Sequence, residues 1–294
     1  MRILVTGGNG QLGHCCLADT LPGNWQIVSL DRRQLDIADW PAVQQTVAEL
    51  NVDFIVNAAA YTLVDKAEEE IIVAEAANVI GPANLAMIAE SLSIPLIHIS
   101  TDYVFSGAEE GVSLCEDSPT GPLNVYGQTK LLGEKAVLTT CSRAVVIRTS
   151  WLFSEHGTSF VHTMLKLGKT RKSLAIINDQ FGRPTYAGDL AKCILTIISQ
   201  GVNEPMLYHF CGDKIVSWFE FAAEIFSLAK VFDDSYRFMA LSSINSEQYK
   251  CAAKRPKHAI LNCEKIYRER GICNSNWRVS LEKVVPKIID QMNN

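Results

Sequence analysis

The chain has 294 residues, 48% of them hydrophobic, and a formal net charge of −5, which suits one or two domains with an ample core. Charged residues are mixed in sign, with no long polar tract and no basic block, so a disordered chain is excluded and a nucleic-acid binder disfavoured. No run of eighteen consecutive apolar residues exists, so no membrane span is expected, and Met1-Arg2-Ile3-Leu4-Val5-Thr6-Gly7 lacks the apolar core of a signal peptide.

In chain order the first half alternates strand and helix. Ile3-Leu4-Val5 reads as a strand. Gln11–Thr20 reads as a helix broken by Pro22-Gly23, and Gln26–Leu30 as a second strand. Trp40–Leu50 is predicted helical with Asp39 as its N-cap. Phe54–Val56 is a third strand. Asp65–Ser91 reads as a long helix interrupted near Gly81-Pro82. Leu96–Ser100, Val125–Leu138 and Ala144–Arg148 continue as strand, helix and strand. After Trp151 the pattern loosens. Helices are expected at Phe160–Leu167, Asp189–Ser199, Trp218–Leu228 and Leu281–Met292, and strands at Leu174–Ile177 and Leu207–Cys211. The fold class implied is α/β, a doubly wound parallel sheet of the Rossmann type with a smaller C-terminal substrate-binding lobe. Residues 1–150 would form the dinucleotide-binding domain. Residues 151–294 would mainly form the second lobe, with some segments returning to the main sheet.

Gly7, Gly10 and Gly13 form a GxxGxxG between the first strand and the first helix. Glycines there allow a tight turn and a close backbone approach to a pyrophosphate, and the helix N-terminus offers free N–H groups. The second strand runs into Asp31, where a carboxylate can bond the ribose 2′-hydroxyl of NAD. Arg32 and Arg33 follow at once and suit the 2′-phosphate of NADP. NADPH and NADH therefore both stand as expected cofactors.

Tyr126 and Lys130 are four apart on one predicted helix and share a face. That is the arrangement of an acid–base tyrosine whose phenol is made more acidic by an adjacent ammonium. Thr101 closes the fourth strand within Ser100-Thr101-Asp102-Tyr103-Val104-Phe105, and Asn57-Ala58-Ala59-Ala60-Tyr61-Thr62 closes the third. Ligands of open parallel sheets bind beyond such strand ends. Thr101 is thus a candidate to bond a carbonyl undergoing reduction.

Nine cysteines, an odd number with no CxxC, read as reduced thiols and give a cytoplasmic expectation. Cys15 and Cys16 read as small helix residues packed on the sheet. His14 reads as a partly buried or solvated helix residue.

The glycine turn, the two strand ends and the Tyr126/Lys130 pair resemble the extended short-chain dehydrogenase/reductases. Leu123-Asn124-Val125-Tyr126-Gly127 with Lys130 and Gly133-Glu134 is more specific. So are Arg148-Thr149-Ser150-Trp151, Asn178-Asp179-Gln180-Phe181-Gly182 with Pro184-Thr185, and Arg255-Pro256. Together these resemble the dTDP-4-dehydrorhamnose reductase family within that superfamily, from Met1 to about Trp277. The resemblance implies hydride transfer to C4 of a dTDP-linked 4-keto-6-deoxy sugar, giving dTDP-L-rhamnose. Tyr126 would then be the proton donor and Lys130 its partner, with Thr101 orienting the keto group. Asp102, Tyr103 and Trp151 would bind the sugar nucleotide, with Arg255 as a clamp for its diphosphate. Gly10, Gln11 and Leu12 would hold the cofactor pyrophosphate and Asp31 the ribose. Asp36 and Ile37 would hold the adenine, and Ala60, Tyr61 and Thr62 would line the cofactor.

Some members of the family are dimers that share magnesium through acidic residues, one of them on the first helix. Here that helix carries His14-Cys15-Cys16 and no carboxylate before Asp19. Soft thiols do not suit magnesium, which puts the metal and that dimer in doubt and leaves monomer or homodimer open. Two other readings use the same pattern. One is a nucleotide-sugar epimerase or dehydratase, or another nucleotide-sugar reductase. The other is a regulatory binding subunit like that of methionine adenosyltransferase.

Overall fold

Strands buried on both faces need helices as crossovers, and this sequence supplies them in turn. A computed structural model describes residues 1–18 and 23–293. The first half contains β1 (Arg2–Thr6), α1 (Gln11–Ala18), β2 (Gln26–Leu30), α2 (Trp40–Leu50) and β3 (Phe54–Asn57). It continues with α3 (Val64–Ala67), α4 (Ile71–Glu75), α5 (Gly81–Ser91), β4 (Leu96–Thr101), α6 (Val125–Thr140) and β5 (Ala144–Thr149). The second half contains β6 (Leu152–Phe153), α7 (Phe160–Thr170), β7 (Ser173–Ile177), β8 (Phe181–Gly182), β9 (Thr185–Tyr186) and α8 (Ala187–Gln200). It closes with β10 (Met206–His209), β11 (Val216–Ser217), α9 (Trp218–Phe232), β12 (Ala240–Ile244), α10 (Glu264–Arg270) and α11 (Trp277–Asn293).

Six strands form one parallel sheet in the order β10-β5-β4-β3-β1-β2. The chain runs outward from β1 in both directions, so the crevice at the carboxyl ends of β1 and β3 is the switch point where such sheets bind ligands. Ile3, Val5, Val56, Ile97 and Val145 face one helical layer, while Leu4, Ile55, Leu96 and Val146 face the other. That alternation is the pleat of a sheet covered on both sides. From the second half, β10 pairs with β5, and α8 adds Leu190, Ile194 and Ile197 to the core under β1. A separate core joins α7, α9 and α11 around Phe153, Phe221, Phe226 and Trp277.

Local chemistry explains the element ends. Asp39 caps α2 by accepting from the Ala42 N–H, as its sequence position implies. The expected end of α1 at Thr20 and the Pro22 break lie outside the described residues. The single long helix from Asp65 is corrected, because the chain leaves the helix at Glu68–Glu70 and resumes at Ile71. The expected interruption near Gly81-Pro82 takes the form of a π-helical turn at Ala76–Ile80, directly before it. Pro82 has no N–H for the Asn78 carbonyl, and the wider turn absorbs the mismatch. The 21-residue stretch Ile71–Ser91 holds an 18-residue window of mean hydropathy 1.6, long and apolar enough to cross a membrane by composition. Here it packs as a core layer, with Leu85, Ala86 and Ala89 fully buried.

Candidate active site

The glycine turn sits at the switch point. Gly7 has φ +73°, and a Cβ on it would lie 2.7 Å from the Ala59 nitrogen, so only glycine lets β1 and β3 end this close together. A Cβ on Gly13 would meet the Gly7 carbonyl at 2.6 Å. Gly10 donates to Gly7 O, and the next helical bond runs from His14 N to Gly10 O. The N–H groups of Gln11, Leu12 and Gly13 thus head α1, free of intrahelical partners. The Leu12 side chain is core, 4% exposed. The Gln11 amide ties the turn to the second half, donating to Leu152 O and accepting from Ser154 Oγ.

Asp31 directly follows β2 beside this turn. It accepts from the Asn9 amide and from the backbone N–H groups of Arg33 and Gln34. Arg32 pairs with Asp36 at 3.3 Å in an exposed contact. Ile37 points away from this rim. Its side chain is 4% exposed and packs where a Cβ on Gly81 would fall, and its carbonyl accepts from Asn84. Ala60 stays half-buried and Thr62 is exposed. The Tyr61 hydroxyl is turned outward onto Glu70 at 2.6 Å.

The catalytic candidates converge at the carboxyl end of β4. Asn124 caps α6 through the Gly127 N–H at 2.8 Å. A Cβ on Gly127 would lie 2.2 Å from the Tyr103 carbonyl, so the helix starts directly against the loop after β4. The Tyr126 ring meets the Tyr103 ring edge-on at 5.6 Å. Burial pushes the Tyr126 phenol up to about 12, while a hydrogen bond with Thr101 acts in the opposite direction. Thr101 also donates to Asp102 Oδ1 at 3.0 Å. Burial pushes the Asp102 carboxyl up to about 7 against that bond.

Lys130 is 2% exposed. Its Nζ donates to the Ile99 carbonyl at 2.6 Å and lies 3.3 Å from His98 Nε2. The expectation that its ammonium acidifies Tyr126 is therefore corrected for this arrangement. The amine is turned onto β4, and burial holds the phenol up, with the Asp102 charge adding to it. Burial pulls Lys130 itself down to about 8, with Glu134 opposing.

Trp151, Arg255, Asp102 and Tyr103 line one slot, with Gln180 and Trp218. Its free volume is about 10 Å3, about what one water needs. Trp151 stacks on Trp218 at 3.4 Å and sits at φ +48°, a left-handed conformation that costs a bulky residue about 1–2 kcal/mol. Gly182 makes room for the indole, since a Cβ there would be 2.3 Å from it. The Arg255 guanidinium grips the Asp65 carboxylate through both oxygens, at 3.1 and 2.5 Å, linking the two halves of the chain. The His14 ring stacks on His156 at 5.0 Å, and Cys15 and Cys16 are buried in the core. All nine cysteines are free thiols. Asp19 lies outside the described residues.

Sequence reasoning gave no role to three buried polar side chains here. Asn78 accepts from the Tyr61 N–H and donates to the Tyr61 carbonyl and to Thr129 Oγ1, joining the loop after β3 to α6. Glu134 on α6 receives Arg148 from β5. His98 lies under Lys130. The available signal was a lone polar residue within an apolar run, as in Ala77-Asn78-Val79 and Ile97-His98-Ile99.

Comparison with known proteins agrees with the resemblance seen in the motifs. The family model described as the RmlD substrate binding domain matches residues 1–289. A dTDP-4-dehydrorhamnose reductase of Aggregatibacter actinomycetemcomitans is 38% identical, covering 96% of this chain and 98% of that protein. Among solved structures, a dTDP-4-dehydrorhamnose reductase ortholog from Clostridium acetobutylicum superposes with TM-score 0.90 at 35% identity over 100% of both chains. The dTDP-4-dehydrorhamnose reductase of Bacillus anthracis, solved in complex with NADP, superposes with TM-score 0.88 at 35% identity, covering 96% of this chain and 98% of that one. With its motifs, its sheet order and these full-length matches in agreement, the chain belongs to the dTDP-4-dehydrorhamnose reductase family.

Proposed function

We propose that this protein reduces dTDP-4-dehydro-6-deoxy-L-mannose at C4 with NADPH or NADH, giving dTDP-L-rhamnose. The observation that carries the reading is the meeting of Thr101 and Tyr126 at the end of β4, beside buried Lys130, in a chain of this family. The coenzyme fits the residues present. The close Gly7–Ala59 approach, the free N–H groups heading α1 and the Asp31 carboxylate suit a pyrophosphate and its ribose. When bound, the reduced nicotinamide supplies the hydride.

Tyr126 Oη gives a proton to the C4 oxygen, Thr101 Oγ1 orients that oxygen, and Lys130 serves the tyrosine and the ribose. Asp102, Tyr103 and Trp151 bound the sugar. Residues 1–150, with α8 and β10, act as the coenzyme half, and the remainder of 151–294 covers the substrate. Arg32 and Arg33 suit a 2′-phosphate, and the exposed Arg32–Asp36 pair is too solvated to withhold the guanidinium. Purified protein, the keto sugar and each coenzyme in turn test the reading. Product identified as dTDP-L-rhamnose supports it. A coenzyme that binds with no turnover, or the C4 epimer as product, overturns it.

Two substitutions probe the ends of the pocket. Asp31→Ala should weaken NADH about 10- to 100-fold, the worth of one hydrogen bond to a charged group, and NADPH much less. Equal losses in fluorescence titration would remove Asp31 from ribose recognition. Arg255 reaches a diphosphate only after leaving Asp65, so Arg255→Ala should raise KM for the dTDP-sugar about 10-fold or more with kcat little changed. Asp65→Asn frees the guanidinium and should lower that KM. A KM unchanged in both variants would take Arg255 out of the substrate site.

A further inference from the structure

Beneath the site a buried polar chain runs from Thr6 through Asn57 and His98 to Lys130, and the proposed mechanism uses only its last member. Asn57 and His98 are fully buried and Thr6 is 1% exposed. The hydrogen-bond directions are fixed by donors that cannot reverse. The Ala59 backbone N–H donates to Asn57 Oδ1 at 3.1 Å, and Thr6 Oγ1 donates to the same oxygen at 2.7 Å. A backbone N–H only donates, so that atom is the amide oxygen, and the amide nitrogen is the atom 2.9 Å from His98 Nδ1. An amide NH2 also only donates. His98 Nδ1 therefore accepts, and the neutral ring carries its proton on Nε2. That N–H faces Lys130 Nζ at 3.3 Å.

An ammonium offers three donors and no acceptor, whereas a neutral amine has a lone pair for the imidazole hydrogen. The imidazolium gives no escape, because its Nδ1–H would face the Asn57 NH2. Burial also holds His98 well below its ordinary range, and the Lys130 charge adds to this. The other charged groups around Lys130 do not reverse the balance. Glu134, one turn further along α6, favours the ammonium, but both its oxygens bond Arg148 from β5. Asp102, at the end of β4, acts on Tyr126 and Tyr103.

Resting on the reductase reading, we propose that His98 is a positioning residue for the reaction. Its Nε2–H makes the amine the form of Lys130 that rests on β4, and leaves the ammonium to turn toward Tyr126 and the cofactor. The Nζ proton is then a transferable one. Passed to the Tyr126 phenolate, it breaks an N–H bond, forms the O–H bond of the phenol and leaves an amine that His98 and Ile99 already accommodate. A proton donor works best when its affinity lies near the working pH.

The tautomer can be read without any turnover, by 15N NMR of histidine-labelled protein. His98 is assigned by the signals lost in His98→Gln or His98→Asn. The expected result is an unprotonated Nδ1 and a protonated Nε2, unchanged across roughly pH 5 to 8. A protonated Nδ1 overturns the proposal.

The second readout is the pH profile of kcat/KM. His98→Gln replaces the facing N–H with an amide whose carbonyl can accept from the ammonium. The falling limb, set in the parent protein by Lys130 at about 8, should then move up by about one unit or more. His98→Asn keeps an acceptor for Asn57 and removes the facing N–H, so it should shift the limb by less. The Asp102 ionisation should stay in place in both. Superimposable profiles in folded variants, judged by melting and coenzyme binding, overturn the proposal. Absence of turnover in every form would instead sink the reductase reading, with the tautomer still decided by NMR.

Discussion

Tyr126→Phe should lower turnover by about 10²- to 10⁴-fold, the usual contribution of one general acid, while coenzyme affinity stays near that of the parent protein. The Tyr126 phenol is hydrogen-bonded to Thr101 at the end of β4. Burial holds it up at about 12, so at neutral pH Tyr126 is a phenol and enters the reaction as an acid. Its own ionisation is too high to shape the pH profile there. That profile should follow Asp102, at about 7, and Lys130, at about 8. Phenylalanine keeps the edge-on contact with Tyr103 and removes only the hydroxyl. The loss should therefore fall on kcat and kcat/KM together. Stopped-flow oxidation of the coenzyme at saturating keto sugar measures it. Turnover equal to the parent protein would remove Tyr126 from proton transfer and move the search for the acid to Asp102.

The alternation of apolar strands with helices was legible because each central strand is buried on both faces and so reads as an unbroken run, as in Ile3-Leu4-Val5 or Phe54-Ile55-Val56. The glycine turn was legible for a steric reason, since Gly7 and Gly13 stand where no Cβ fits. Other features depend on partners distant in sequence and leave little local pattern. β12 (Ala-Leu-Ser-Ser-Ile) exists by pairing with β7, and α10 buries only Ile266 of its seven residues. The direction of Lys130 was misread for a similar reason. Helical spacing puts Lys130 on the Tyr126 face, but the His98 and Ile99 groups that receive it come from β4, across the sheet–helix interface. The Arg255–Asp65 bond spans 190 residues, and neither residue's neighbours hint at the other.

Removing one member of the Glu134–Arg148 pair should cost about 3–5 kcal/mol of stability. The side chains are 2% and 4% exposed, and Arg148 holds the carboxylate through Nε at 2.9 Å and Nη2 at 2.8 Å. In Glu134→Ala the guanidinium stays in the core with poor substitutes: the Glu116 carbonyl at 3.4 Å, the His209 ring at 3.4 Å and the Phe105 face at 4.9 Å. The loss should lower the melting temperature by roughly 10 °C. Glu134→Leu combined with Arg148→Met removes both charges and keeps much of the volume, so it should recover most of the loss. A double variant no more stable than Glu134→Ala would show that packing, not the stranded charge, carries the cost. The pair also joins α6 to β5 one turn beyond Lys130, and its carboxylate favours the Lys130 ammonium. With the pair replaced by apolar side chains, the falling limb of kcat/KM should move down from about 8 even where stability recovers. That shift separates the electrostatic part of the pair's role from its part in holding the helix.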